Sequence, residues 1–363
     1  MSRKKRILVA PLDWGLGHAT RSIAIINELL RQDAEVIIGA DNRPYDLLRK
    51  EFPSLEHIRF PGYSVHYSET QSLTRAIIVQ LPSILNGFSK EHRVVETLID
   101  KYNIDAVISD NRFGAYSNKV PSIFVIHQLN IMAPPWLRWS RGLVRFVNRM
   151  MCNNYDEVWV PDFPGDVNIA GELARPKKLP NNTYYIGPLT RLERMEVEKS
   201  IDVLVILSGP EPQRTMFEEM ILEQLKNTSL VGVFARGKPE QNTMMKVSPN
   251  ITMINAVSGN EMSRLVASSR IIVSRPGHST VMDLSFVGAK AILIPTPQQT
   301  EQEYLAAELM KNKICYCESQ AEFNLERALQ RSAGYSGFSA MKYDPTLLQQ
   351  RIRHLMNSIE EPR

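Results

Sequence analysis

Between Ile271 and Gln302 the chain reads IIVSRPGHSTVMDLSFVGAKAILIPTPQQTEQ: a strand, a turn, a helix, a second strand and a cluster of acid and amide side chains. Pro276 and Gly277 make a turn without bulky side chains, so backbone there can approach a phosphate. The amides of His278, Ser279 and Thr280 then open a helix at its positive dipole end. This is chemistry suited to holding a nucleoside diphosphate. Asp283, one turn further, is placed to accept hydrogen bonds from ribose hydroxyls. Glu301 and Gln302 read either as partners of sugar hydroxyls or as the polar start of a helix.

A second group of candidates lies near the N-terminus. The first strand ends in PLDWGLGHATR, which puts Gly15, Gly17 and His18 on a loop leading into a helix that starts near Ala19 or Thr20. His18 there is either a proton acceptor at the sheet edge or a helix-capping histidine. A nicotinamide-binding loop needs a third glycine where Thr20 stands, which argues against that reading. The strand DAVISD ends in Asp110, whose carboxylate can fix an imidazole tautomer or simply cap a turn. His127 closes SIFVIH and is read as an acceptor-binding residue or a strand terminus.

These residues need elements to position them, and the chain supplies a regular alternation. Apolar strands RILVAPL, AEVIIGA, DAVISD, SIFVIH and DEVWVPD alternate with helical patterns near 21–31 and 73–102, which implies a parallel sheet. A Gly-Pro break and a charge run over 187–200 mark a linker, after which DVLVILSG, LVGVFAR, ITMINA, RIIVSR and AILIPT restart the alternation. The expected fold is α/β, with a doubly wound, Rossmann-like domain at 1–190 and a second at 191–345 facing a cleft. The last helical pattern, within 346–363, is expected to pack back on the first domain.

Composition narrows the function classes. The 363 residues are 43% hydrophobic, enough for two cores, and exclude a disordered or fibrous chain. A net charge of +4 from 43 basic and 39 acidic residues gives no footprint for nucleic acid. Cys152, Cys315 and Cys317 cannot all pair and lack zinc-site spacing, which suggests a reducing cytoplasm. No stretch approaches the roughly 18 apolar residues of a membrane span.

On these motifs the chain resembles GT-B glycosyltransferases, namely the peptidoglycan N-acetylglucosaminyltransferase family and, more distantly, the plant-type UDP-glycosyltransferases. GLGHATR resembles the family's glycine-rich loop, containing Gly17 and a proposed base at His18. VIHQLN is similar to its acceptor stretch at His127 and Asn130, and SRPGHSTVMDLSFVGAKAILIPTPQQTEQEY to its donor motif. The resemblance implies Asp283 on the ribose, Gln302 as the late donor amide, and Asp110 orienting His18. It further implies inverting transfer from a UDP-sugar to a hydroxyl acceptor, without metal or other cofactor; the sequence has no Asp-x-Asp. One departure stands out: the family's second glycine-rich turn is LSGPEPQR here, where Pro210 and Pro212 each remove an amide. Ser208 and Gly209 remain for the diphosphate, with Arg214 and Arg236 as candidate charges and Val257 near the base.

The stretch WLRWSRGLVRFVNRMM bears on the acceptor. Arg138, Arg141, Arg145 and Arg149 form one helical stripe, and Trp136, Trp139, Leu143, Phe146 and Met150 another. This reads as a basic amphipathic face on an anionic membrane, suiting a lipid-linked or cell-envelope glycan acceptor, or as an ordinary helix with its apolar side in the core. A UDP-sugar epimerase or hydrolase of the same architecture and a non-enzymatic sugar-nucleotide-binding protein are the alternative functions.

Overall fold

The computed structural model describes residues 3–13, 16–62, 81–130, 141–165, 168–176, 179–209, 211–237, 243–340 and 344–359. The chain divides into two compact units, Met1–Thr190 with Tyr343–Arg363, and Arg191–Lys342.

In the first unit, strand β1 (Arg6–Pro11) leads to helix α1 (Leu16–Arg31), and β2 (Glu35–Ala40) to α2 (Asn42–Glu51). Next come β3 (Glu56–Arg59), α3 (Leu81–Tyr102), β4 (Ala106–Asp110), β5 (Ser122–Val125), α4 (Arg141–Cys152), β6 (Glu157–Val160) and β7 (Thr183–Tyr185). The seven strands are parallel, in the order β3-β2-β1-β4-β5-β6-β7. Alternation along β1 covers both faces. Ile7 and Val9 pack in one cluster with Ile23, Ile26 and Leu29 of α1, while Leu8 and Ala10 pack with Val95, Leu98 and Ile99 of α3. Each fully buried Leu, Ile or Val side chain among them stabilises by about 1.5–3 kcal/mol.

The second unit repeats the plan. It contains β8 (Ile201–Ile206), α5 (Gln213–Lys226), β9 (Gly232–Ala235), β10 (Met244–Ser248), β11 (Ile251–Ile254), α6 (Gly259–Ser268), β12 (Ser269–Ser274) and α7 (His278–Val287). β13 (Ala291–Leu293), α8 (Thr300–Lys311), β14 (Tyr316–Cys317) and α9 (Leu325–Ser332) complete it. Its sheet runs β10-β11-β9-β8-β12-β13-β14, parallel except for β10. Val203 and Val205 of β8 pack on Phe217, Ile221 and Leu225 of α5.

The final helix, α10 (Leu347–Ser358), belongs to the first unit. Its Ile352 and Leu355 join the α1 core cluster, and Lys5 Nζ donates to the Met356 carbonyl.

Both sheets reverse their winding once, at β1/β4 in the first and β8/β12 in the second. The carboxyl ends of the strands on either side of such a break form the crevice where doubly wound sheets bind ligands. His18 follows β1 and Asp110 ends β4; Gly209 and Gly277 follow β8 and β12.

Candidate active site

At the β1/β4 break, Pro11 and Asp110 stand in register, and Leu12 N donates to the Asp110 carbonyl at 2.9 Å. The Asp110 carboxylate is fully buried at that edge. The helix after β1 begins earlier than its sequence indicates, at Leu16, so Gly17 and His18 lie in its first turn; Gly15 lies outside the described residues. Thr20 Oγ1 donates to the Gly17 carbonyl at 2.9 Å within that turn. His18 is thereby aimed back over the strand end, its Nδ1 3.0 Å from Asp110 Oδ1 and its side chain 15% exposed.

A residue that sequence reasoning did not single out completes the group. Arg21, three positions after His18 on α1 and 3% exposed, donates from Nε to Asp110 Oδ2 at 2.6 Å and from Nη2 to Oδ1. Its Nη2 and Nη1 lie 2.9 Å from Nδ1 of His18 and of His127, and the two imidazole centroids are 6.2 Å apart. The i, i+3 spacing in GLGHATR was the available signal, since it puts both side chains on one helix face.

The charges act on one another. Burial alone would raise Asp110, but the guanidinium of Arg21 and the His18 ring outweigh it and hold the carboxyl well below the usual range. Burial and Arg21 push His18 below its ordinary value against the opposing pull of Asp110, which favours the neutral ring. His127 follows β5, and Asn148 of α4 fixes the segment after it by donating to the Leu129 carbonyl at 2.9 Å. Asn130 is half-buried there, its backbone N–H donating to the Leu173 carbonyl at 2.9 Å.

The β8/β12 break is furnished differently. Gly209, at φ 97°, takes a left-handed conformation that favours glycine, and Ser208 beside it is half-buried. Gly277 is the N-cap of α7 at φ −70° and ψ 142°, which any residue adopts, and an added Cβ would meet only Thr280 Oγ1 at 3.9 Å. Neither backbone nor packing within the fold requires glycine at 277. The Gly277 carbonyl accepts from Val281 N at 2.9 Å as the first helical bond, and His278, Ser279 and Thr280 make up the turn ahead of it. Asp283 lies four residues beyond Ser279, on the same helical face, and is half-buried.

Arg275, 1% exposed, locks this edge and was also not singled out. Its guanidinium donates to the carbonyls of Ile294, Pro295 and Gln213 at 3.0–3.3 Å and to Gln320 Oε1 at 2.6 Å. It also stacks over Phe217 at 4.0 Å, and burial lowers it to about 10.

The two arginines expected near the diphosphate have partners inside the unit. Arg236 makes a two-pronged ion pair with Glu218 at 2.6 and 2.8 Å and donates to Asn255 Oδ1 at 3.0 Å. Arg214 donates to Glu211 at 2.5 and 3.0 Å, and hydrogen bonds from Arg214 and Thr215 lower that carboxyl to about 2. Gln302 Oε1 accepts from Thr296 N at 2.8 Å, holding the turn before α8. Glu301, whose N–H donates to Gln299 Oε1 at 3.1 Å, opens that helix. Val257 is half-buried just before Ser258, which caps α6 in a reciprocal pair with Glu261. Among the described residues no cluster of His, Cys, Asp and Glu is arranged to hold a metal ion.

The α4 stripe departs from the ordinary amphipathic pattern. Asn148 points inward, whereas Phe146, Val147 and Met150 are 60%, 43% and 54% exposed, and Arg145 and Arg149 are exposed beside them. Trp136, Arg138 and Trp139 lie outside the described residues, as do the side chains of Arg141 and Leu143. No helix among the described residues is long and apolar enough to cross a membrane.

Comparison with known proteins agrees with this architecture in both units. Residues 5–135 match glycosyl transferase family 1, and residues 213–355 match the glycosyltransferase family 28 C-terminal domain. The fold and these matches define a GT-B-type glycosyltransferase. An uncharacterized glycosyltransferase of Methanosarcina mazei is 28% identical over 331 residues, covering 84% of each chain. The chain is also related to the UDP-N-acetylglucosamine--N-acetylmuramyl-(pentapeptide) pyrophosphoryl-undecaprenol N-acetylglucosamine transferase of Acetivibrio thermocellus, at 22% identity over 93% of this chain and 90% of the other. Among solved structures, Acinetobacter baumannii MurG superposes with a TM-score of 0.60 at 14% identity, over 98% of this chain and 100% of that one.

Proposed function

We propose that this glycosyltransferase moves a hexose or N-acetylhexosamine from a UDP-sugar to the hydroxyl of a lipid-linked or cell-envelope glycan, with inversion and with no metal or other cofactor in the step. The observation that carries the reading is the His18–Asp110 contact at 3.0 Å on the carboxyl edge of a doubly wound sheet. In this reading His18 Nε2 takes the proton of the acceptor hydroxyl as its oxygen bonds the anomeric carbon, and the bond from that carbon to the UDP oxygen breaks. Gly17, His127 and Asn130 line the acceptor side. The departing diphosphate is met by the first amides of α7 and by Ser208 and Gly209. Asp283 holds the ribose, and Glu301 and Gln302 the sugar. Arg214 and Arg236, already paired with carboxylates, shape this site more than they charge it.

The outward Phe146, Val147 and Met150 flanked by Arg145 and Arg149 support peripheral attachment to an anionic inner membrane face, where a lipid-linked acceptor is presented. A thermal-shift series with UDP, GDP, CDP, dTDP and NAD, in wild type and Asp283→Ala, tests the donor assignment. Selective stabilisation by UDP that weakens in the variant is expected. An equal response to every nucleotide, or none, would remove the UDP-sugar reading, and turnover of donor without any acceptor would replace transfer by epimerisation or hydrolysis.

A further inference from the structure

Two histidines, an aspartate and an arginine meet at the β1/β4 edge, and the arginine touches the other three. A guanidinium offers protons and no lone pair, so a ring nitrogen that bonds it must accept. His127 Nδ1, 2.9 Å from Arg21 Nη1, is therefore an acceptor, and the neutral ring carries its proton on Nε2. His18 Nδ1 has two suitors, Arg21 Nη2 at 2.9 Å and Asp110 Oδ1 at 3.0 Å. With a proton on Nδ1 it donates to Asp110 and keeps a lone pair on Nε2; without one it accepts from Arg21 and the proton sits on Nε2. Only the first tautomer can take a proton from a hydroxyl at Nε2.

We propose that Arg21 is a positioning residue that sets the proton affinity of His18, by pairing with Asp110 so that His18 works against a neutral ion pair rather than an uncompensated carboxylate. The consequence for catalysis rests on the reading of His18 as the base. Among the described residues, the charged and titratable groups facing His18 are Arg21 from its own helix, Asp110 from the end of β4 and His127 from the segment after β5. Asp110 already receives Arg21 on both oxygens, so a protonated His18 gains little from the carboxylate and stands beside a second cation. Arg21 thus keeps the base unprotonated below neutral pH, and through its Nη1 it ties His127 to the same charge.

The test is an NMR titration of the His18 ring, assigned by the signal lost in His18→Gln, in wild type, Arg21→Gln, Arg21→Lys and Asp110→Asn. The wild-type midpoint should lie below 6.5. It should rise by about 1–3 pH units in Arg21→Gln, stay near wild type in Arg21→Lys, and fall in Asp110→Asn. A midpoint unmoved in a folded Arg21→Gln protein, or rising in Asp110→Asn, would overturn the proposal. If Arg21→Gln does not fold, the double variant Arg21→Gln/Asp110→Asn, which removes both buried charges together, is titrated against Asp110→Asn alone; the midpoint should be higher in the double variant, and one that is no higher overturns the proposal. The acid limb of turnover should follow the titration. A midpoint that moves while the limb stays leaves Arg21's hold on His18 intact and instead removes His18 as the base.

Discussion

At the β1/β4 break of the first sheet the strand ends carry Asp110, His18 and Arg21, bonded to one another and largely withdrawn from water. At the β8/β12 break of the second sheet they carry Ser208, Gly209, Pro276 and Gly277, and the nearby arginines are engaged with Glu211, Glu218 and main-chain carbonyls. The winding is the same and the furnishing opposite. A proton must be held by an ionisable side chain whose affinity neighbours can set, which requires charges in a buried, specific geometry. A diphosphate is met well by amides and a helix dipole, which require bare backbone and little side chain. The difference teaches that one topology can carry two unlike furnishings, and in the proposed function the charged edge holds the proton while the bare edge meets the diphosphate.

The sharpest way to break the comparison is to remove the proposed proton acceptor. His18→Ala should lower turnover by about 10²–10⁴-fold, measured as UDP release from UDP-N-acetylglucosamine with a detergent-solubilised polyprenyl-diphosphoryl sugar; unchanged turnover would take His18 out of the mechanism.

Next in size is the charge pair beneath it. Asp110→Asn leaves the Arg21 guanidinium buried without its carboxylate and should cost about 3–5 kcal/mol in urea unfolding. The same unfolding followed against pH has a defined sign. His18 titrates below 6.5 in the folded chain, so the unfolded chain binds more protons and stability falls as pH drops below 6.5. Asp110, held below 3.8, contributes stability that is present above that value and lost in a second stage as pH falls through its lowered folded value.

The second edge is sharpened by a methyl group. Gly277→Ala fits the fold, with its Cβ 3.9 Å from Thr280 Oγ1, so stability should fall by only about 1 kcal/mol, the difference between glycine and alanine as a helix N-cap. UDP affinity in calorimetry should fall about tenfold, because in the proposed donor site the methyl group would stand where a phosphate approaches. Asp283→Ala should weaken UDP by about threefold to tenfold through loss of one ribose hydrogen bond, and leave unfolding of the first unit untouched. Smallest is the outward face of α4, where Arg149→Gln should weaken flotation with anionic liposomes by roughly fivefold, about 1 kcal/mol per arginine. Flotation that ignores lipid charge would sink membrane attachment.

Much of this was legible in the sequence because strands buried on both faces read as continuous apolar runs; β1 and β4 lie within the runs that announce them, and β8 and β12 begin one residue ahead of theirs. The helix after β1 was placed too late, since a glycine pair reads as loop although Gly17 sits in a first helical turn. Arg21 stayed hidden for a physical reason: an arginine on an amphipathic helix reads as solvent-facing, and its carboxylate partner is 89 residues away on another strand. Arg236 was similar, since its partner Glu218 sits on a different element, whereas the Arg214 and Glu211 pair shows at three-residue spacing. Arg275 lay inside the motif that drew attention to Gly277, but only the fold shows four acceptors converging on it.

The most direct test of the division between the two edges is a calorimetric titration of UDP into His18→Ala and Gly277→Ala side by side with wild type. The account predicts wild-type affinity in His18→Ala and about tenfold weaker binding in Gly277→Ala. UDP binding lost with His18 and indifferent to Gly277 would contradict it.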